Sequence, residues 1–125
     1  MGAKILVVDD DESILDAVSL VLEEAGFTVE TTPKGDETYP KVTSFNPDLI
    51  LLDVLMSGND GRHICKNLKT DDTTKKIPIV MISAHPSAKL DALDCGADAF
   101  LAKPFDTVEL LSAVSRYTTS PNHVT

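Results

Sequence analysis

The sequence predicts an α/β domain built on a doubly wound, five-stranded parallel sheet with helices on both faces. Three observations carry that prediction. Lys4–Val8 and Asp48–Asp53 each hold four aliphatic residues in succession and run into acids. Such unbroken apolar runs mark strands buried on both faces, the interior strands of a parallel sheet. Segments of helical spacing alternate with the strands along the chain, the pattern of βαβ units joined by right-handed crossovers. Finally, 125 residues suit one domain, long enough for a single core to bury most of the surface of the unfolded chain.

The elements follow in order. After the strand at Lys4–Val8 come Asp9, Asp10 and Asp11, and then a helix over Ser13–Ala25 with Ile14, Val18, Val21 and Leu22 at helical spacing, closed by Gly26. Phe27–Thr31 alternates and is rich in β-formers, which places it nearer an edge. Residues 34–45 read as a helix interrupted by Pro40, which removes a donor and crowds the preceding turn, so the helix either kinks or restarts there. The strand at 48–53 leads into a Gly-rich loop and a helix over Arg62–Leu68. Ile77–Ser83 is the fourth strand, with Pro78 at a tolerated place near its start. Pro86 suits the first turn of a helix over 87–95, Ala99–Ala102 is the fifth strand, and Asp106 or Thr107 caps a last helix. The domain is expected to span residues 1–117, with 118–125 as a flexible tail or linker remnant.

Bulk chemistry excludes several roles. Eleven basic residues face 20 acidic ones, a net charge of −9, which argues against direct binding of nucleic acid. No apolar run reaches the roughly 20 residues needed to span a bilayer. The chain enters its first strand with no signal-peptide pattern, so no membrane partner and a cytoplasmic location are expected. Cys65 and Cys95 form no C-x-x-C and read as reduced core thiols.

The strand ends carry the chemistry: Asp9 and Asp10, Asp53, Ser83 and Lys103. In a flavodoxin-like order, 2-1-3-4-5, strands one and three are neighbours at the switch point, where ligands bind. That order brings Asp9, Asp10 and Asp53 together. Three carboxylates in one pocket repel one another, and a hard divalent cation relieves the repulsion; Mg²⁺ suits a site of a few carboxylates, waters and a phosphate. A carboxylate can also accept a phosphoryl group, a transfer that needs mainly positioning and neutralisation of charge.

At these residues the chain resembles the receiver domain of two-component response regulators, of the chemotaxis-regulator kind, from Lys4 to Tyr117. The resemblance rests on the Val-Val-Asp-Asp strand end, Leu-Leu-Asp with Gly61 eight residues after the acid, Ser83-Ala84, and Lys103-Pro104-Phe105. It implies a phosphoprotein. Asp53 would take the phosphoryl group as an aspartyl phosphate, Asp10 would ligate Mg²⁺ directly and Asp9 through water, and the Leu55 carbonyl would be the third protein ligand. Ser83 would hydrogen-bond a phosphoryl oxygen and Lys103 would pair with it. The Lys103–Pro104 bond would be cis, and Phe100 would be the switch aromatic. Partners implied are a histidine kinase or histidine phosphotransfer protein, a downstream effector domain or protein, and a second copy in a homodimer. The face built by the helix at 87–95, the fifth strand and the last helix would change its partner preference.

The chain departs from the family at Ser57, where Pro is common, and at Phe100, which lacks a tyrosine hydroxyl. Plainer readings stand beside these. Asp11 reads as a helix cap, and His63, His85 and His123 as surface residues. An aspartyl-phosphate hydrolase would want a second Asp at position 55, where Leu stands, so no substrate turnover beyond the chain's own phosphorylation and dephosphorylation is expected. A receiver fold used only for binding is the remaining rival.

Overall fold

The computed structural model describes residues 2–56, 58–85 and 94–118. The strands are β1 (Lys4–Val8), β2 (Thr28–Thr32), β3 (Leu49–Asp53), β4 (Ile79–Ser83) and β5 (Ala99–Ala102), joined in one sheet of order β2-β1-β3-β4-β5 with every pairing parallel. The helices are α1 (Glu12–Glu24), α2 (Thr38–Phe45), α3 (Gly61–Thr70) and α4 (Thr107–Thr118). The predicted helix over 87–95 falls on residues 86–93, outside the described residues.

Strand parity sorts the core into two layers. Leu6, Val8, Ile50, Leu52, Ile79 and Met81 face α2 and α3, where Val42, Ile64, Cys65 and Leu68 meet them. Ile5, Val7, Leu49, Leu51, Val80 and Ile82 face α1 and α4, against Leu15, Val18, Leu22, Leu110 and Val114. All five residues of β3 and of β4 are buried. A strand covered on both sides has no place for a polar residue until it leaves the sheet, which is why β1 and β3 stay apolar until their carboxylates.

One open alternative is resolved and two local expectations are corrected. The segment 34–45 is a 3₁₀ turn at Gly35–Glu37 followed by α2. Pro40 is the third residue of that helix, in the turn whose N–H groups have no intrahelical partner, so it costs no hydrogen bond and the restart reading holds. The loop after β3 contains a small antiparallel ribbon, Leu55–Met56 against Asn59–Asp60. Thr118 belongs to α4, its hydroxyl donating to the Val114 carbonyl at 2.8 Å; residues 119–125 are outside the described set.

The caps behave as the residue types dictate. Asp11 caps α1, accepting from the Ser13 N–H at 3.0 Å. Asp106 and Glu109 make a reciprocal capping box on α4: the Glu109 N–H donates to Asp106 at 2.8 Å and the Asp106 N–H donates to Glu109 at 3.1 Å. Cys65 and Cys95 are both buried, and burial pushes the Cys65 thiol up, consistent with reduced core thiols. No helix among the described residues is long and apolar enough to cross a membrane.

Leu51 is fully buried at the centre of β3. Leu51→Ala is expected to lower unfolding free energy by about 2–5 kcal/mol, read from urea denaturation, because the flanking strands leave little room for collapse into the cavity.

Candidate functional site

Register builds the site. β1 and β3 pair Val8 with Leu52, so the next residues outward, Asp9 and Asp53, leave the sheet side by side. β3 and β4 pair Asp53 with Ile82, which puts Ser83 one step further along the adjacent strand. β4 and β5 pair Ser83 with Ala102, and the Lys103 N–H donates to the Ser83 carbonyl at 2.9 Å. Four strand ends therefore deliver Asp9, Asp10, Asp53, Ser83 and Lys103 to one edge.

Burial separates the acids. Asp9 is wholly buried and Asp53 is 4% exposed, while Asp10 is exposed at the rim. Oxygens of all three carboxylates lie within 4.8 Å of one another. The Lys103 ammonium sits 2.9 Å from Asp9 Oδ2 and 3.6 Å from Asp53 Oδ1. Asp9 Oδ1 accepts the Asp11 N–H at 2.9 Å, and Oδ2 is paired with the Lys103 ammonium.

The electrostatics follow from this arrangement. Burial pushes the Asp53 carboxyl up to about 6; the Asp9 and Asp10 charges push the same way, and Lys103 opposes them. For Lys103, burial alone favours the neutral amine, but the Asp9 and Asp53 carboxylates outweigh it and the net shift is upward. Among these groups a single ammonium faces three carboxylates. The hard oxygen donors and their spacing fit a small divalent cation.

Two supports lie beneath Asp53. Gly61 opens α3 directly behind Asp53, and a Cβ there would meet the Asp53 carbonyl oxygen at 2.1 Å and Val54 Cα at 2.9 Å. Its N–H donates to the Val54 carbonyl at 2.8 Å, so the close approach fixes the backbone on which Asp53 sits. Ser83 is 2% exposed, and its hydroxyl accepts the His85 N–H at 3.1 Å. Phe100, paired with Met81 two positions before Ser83, is half-buried on the same sheet face as Ser83. The Lys103–Pro104 peptide bond is cis, as the resemblance implied. Leu55 lies in the ribbon with its side chain 49% exposed; Ser57 is outside the described residues. His63 and His85 are exposed, and His123 is outside the described residues.

The sequence reading missed the direct grip of Lys103 on Asp9 and the steric need for glycine at 61. Periodicity carries no signal for either contact. The paired acids and the Asn-Asp-Gly stretch were the only local hints.

With this geometry in hand, comparison with known proteins decides the family. The family model of the response regulator receiver domain matches residues 5–115. This chain is a member of that family. Receiver domains of this kind belong to two-component systems. The chain is 39% identical over 113 residues to the DNA-binding dual master transcriptional regulator RpaA of Synechocystis, covering 89% of this chain and 47% of that protein. It is 39% identical over 120 residues to the response regulator PleD of Caulobacter vibrioides, covering 94% of this chain and 26% of that protein. It thus spans half or less of those two relatives. The chemotaxis response regulator CheY4 of Vibrio cholerae superposes with a TM-score of 0.87 at 34% identity, covering 94% of this chain and 99% of that one. The signal receiver domain of a histidine kinase from Syntrophus aciditrophicus gives 0.87 at 33%, with 94% and 91% covered.

The raised Asp53 carboxyl makes a pH prediction for the receiver. Folded Asp53 holds its proton to about pH 6, whereas an aspartate at its ordinary value loses it near 3.8. Folding stability attributable to this group is therefore highest below that ordinary value, falls between the two, and stays low above. Asp53→Asn is expected to be more stable than the native chain at pH 7 by on the order of 2 kcal/mol, the gap closing as pH falls toward 4, as measured by urea unfolding across pH.

Proposed function

We infer that this receiver is a Mg²⁺-dependent phospho-acceptor switch with Asp53 as the acceptor. The observation that carries the reading is the convergence of Asp9, Asp10 and Asp53 around the Lys103 ammonium at the strand ends. Asp10, Asp53 and the Leu55 carbonyl would hold Mg²⁺, with Asp9 acting through water. When bound, Mg²⁺ neutralises charge on the transferring phosphoryl oxygens. An Asp53 carboxylate oxygen attacks the phosphorus of a phosphohistidine on a histidine kinase or phosphotransfer protein, and the bond from phosphorus to the imidazole nitrogen breaks. Lys103, already 3.6 Å from Asp53, pairs with a phosphoryl oxygen without leaving its place. The chain turns over no other substrate, and Leu55 at the position where a hydrolase would need a second acid supports that reading. The location proposed is the cytoplasm.

Switching runs through Ser83 and Phe100. Turning the Ser83 hydroxyl toward a phosphoryl oxygen reorients the oxygen that accepts the His85 N–H. The space it leaves lies on the sheet face that Phe100 shares, so the phenyl ring follows inward. The face including β5 and α4 then changes its preference for an effector or for a second copy, a bistable element biased by a local charge event.

Intact mass after incubation with acetyl phosphate and Mg²⁺ should rise by one phosphoryl group, with no gain in Asp53→Ala or after metal removal by chelation. No gain from acetyl phosphate, together with no response to beryllofluoride and Mg²⁺, would reject the acceptor role. For the switch, beryllofluoride with Mg²⁺ should shift amide NMR signals across residues 94–118 as well as in the pocket. Shifts confined to residues 9–11, 53–56 and 83 would leave an acceptor without a switch.

A further inference from the structure

Away from the strand-end site, the fold brings two thiols together. Cys65 stands on α3 and Cys95 in the turn that leads to β5, and the Cys65 thiol donates to the Cys95 carbonyl at 3.6 Å. The two side chains also interact directly: burial pushes the Cys65 thiol up, and the Cys95 thiol beside it pushes the same way. A second contact holds the same two segments in register. Lys69 lies one turn along α3 from Cys65, on the same helical face, and its ammonium pairs with Asp98 at 2.9 Å. Asp98 in turn accepts the Ile79 N–H at 2.8 Å, which fixes the turn to β4. Thiols set side by side between anchored segments need little backbone movement to join.

The two thiols differ in access. Cys65 is wholly buried, whereas Cys95 is 8% exposed. Cys95 lines a cavity of about 310 Å³ together with Asp60, Arg62, His63, Lys66 and Asp94. Asp60 takes up the Arg62 charge at 2.7 Å, and Lys66 adds a positive charge to the lining. A small uncharged oxidant can reach Cys95 through this cavity, and a thiolate there gains from the nearby cation. Cys65 is sealed from solvent and burial favours its protonated form, so it is not the first to react.

We propose that Cys95 and Cys65 form an oxidation site for hydrogen peroxide, with Cys95 reacting first and Cys65 resolving the product. The Cys95 thiolate attacks one peroxide oxygen and the O–O bond breaks. The departing hydroxide takes the proton that the thiol gave up and leaves as water, and Cys95 becomes a sulfenic acid. The Cys65 sulfur then attacks the Cys95 sulfur: the S–S bond forms, the S–O bond breaks, and hydroxide leaves with the Cys65 proton as a second water. Peroxide is reduced by two electrons and the two thiols are oxidised to one disulfide. The bond ties α3 to the turn feeding β5, the strand that carries Phe100, alongside the Lys69–Asp98 pair. It draws on none of the groups around Asp53.

The test incubates the full chain with hydrogen peroxide under native conditions, alkylates the remaining thiols in urea, and maps tryptic peptides by mass. Oxidation should give a monomer lighter by two hydrogens, with residues 63–66 linked to residues 90–116, and dithiothreitol should restore both thiols. Cys65→Ala should stop at a sulfenic acid on Cys95, trapped by dimedone. Cys95→Ala should leave Cys65 open to alkylation, its oxidation slower by about tenfold or more. Circular dichroism checks that both variants fold; where one does not, the peptide map of the native chain decides alone. Full alkylation of both thiols after peroxide, a linkage only between chains, or a linkage formed only when urea is present during oxidation overturns the proposal. So does oxidation of Cys65 in Cys95→Ala as fast as that of Cys95 in Cys65→Ala.

Discussion

Asp9 and Asp53 are withdrawn from water side by side with one ammonium between them, and most of the structure can be understood as what it takes to hold them there. Two buried carboxylates and Asp10 at the rim exceed what Lys103 can neutralise. In isolation such a cluster destabilises the fold, because each charge loses hydration and meets a like charge. The chain tolerates it because β1 and β3 are rigid, fully covered strands whose apolar residues anchor both ends. A loop-borne cluster would relax by moving apart. A site short of positive charge favours a hard cation.

The supporting residues make sense in that light. Lys103 is positioned by its own backbone, which is bonded to Ser83 across the sheet, so ammonium and hydroxyl are set by one ladder step. Gly61 lets the first turn of α3 press against the Asp53 peptide unit. These contacts fix where Asp53 points with little dependence on the loop that follows.

The sequence alone determined the order and type of the five sheet strands and of the four described helices, and which residues stand at the strand ends. Unbroken aliphatic runs can be satisfied only by double burial, and an acid at the end of such a run must emerge at the sheet edge, so Asp9, Asp10, Asp53, Ser83 and Lys103 were legible as a set. Pro40 was legible as a break, although its harmless place in a first turn depended on where the helix began. Tertiary structure decided the rest. That Asp9 is sealed while Asp10 is exposed, that Lys103 grips Asp9 more closely than Asp53, and that position 61 cannot carry a Cβ are consequences of register and of helix placement. Those distances are set by residues far apart in the chain, and no local pattern encodes them.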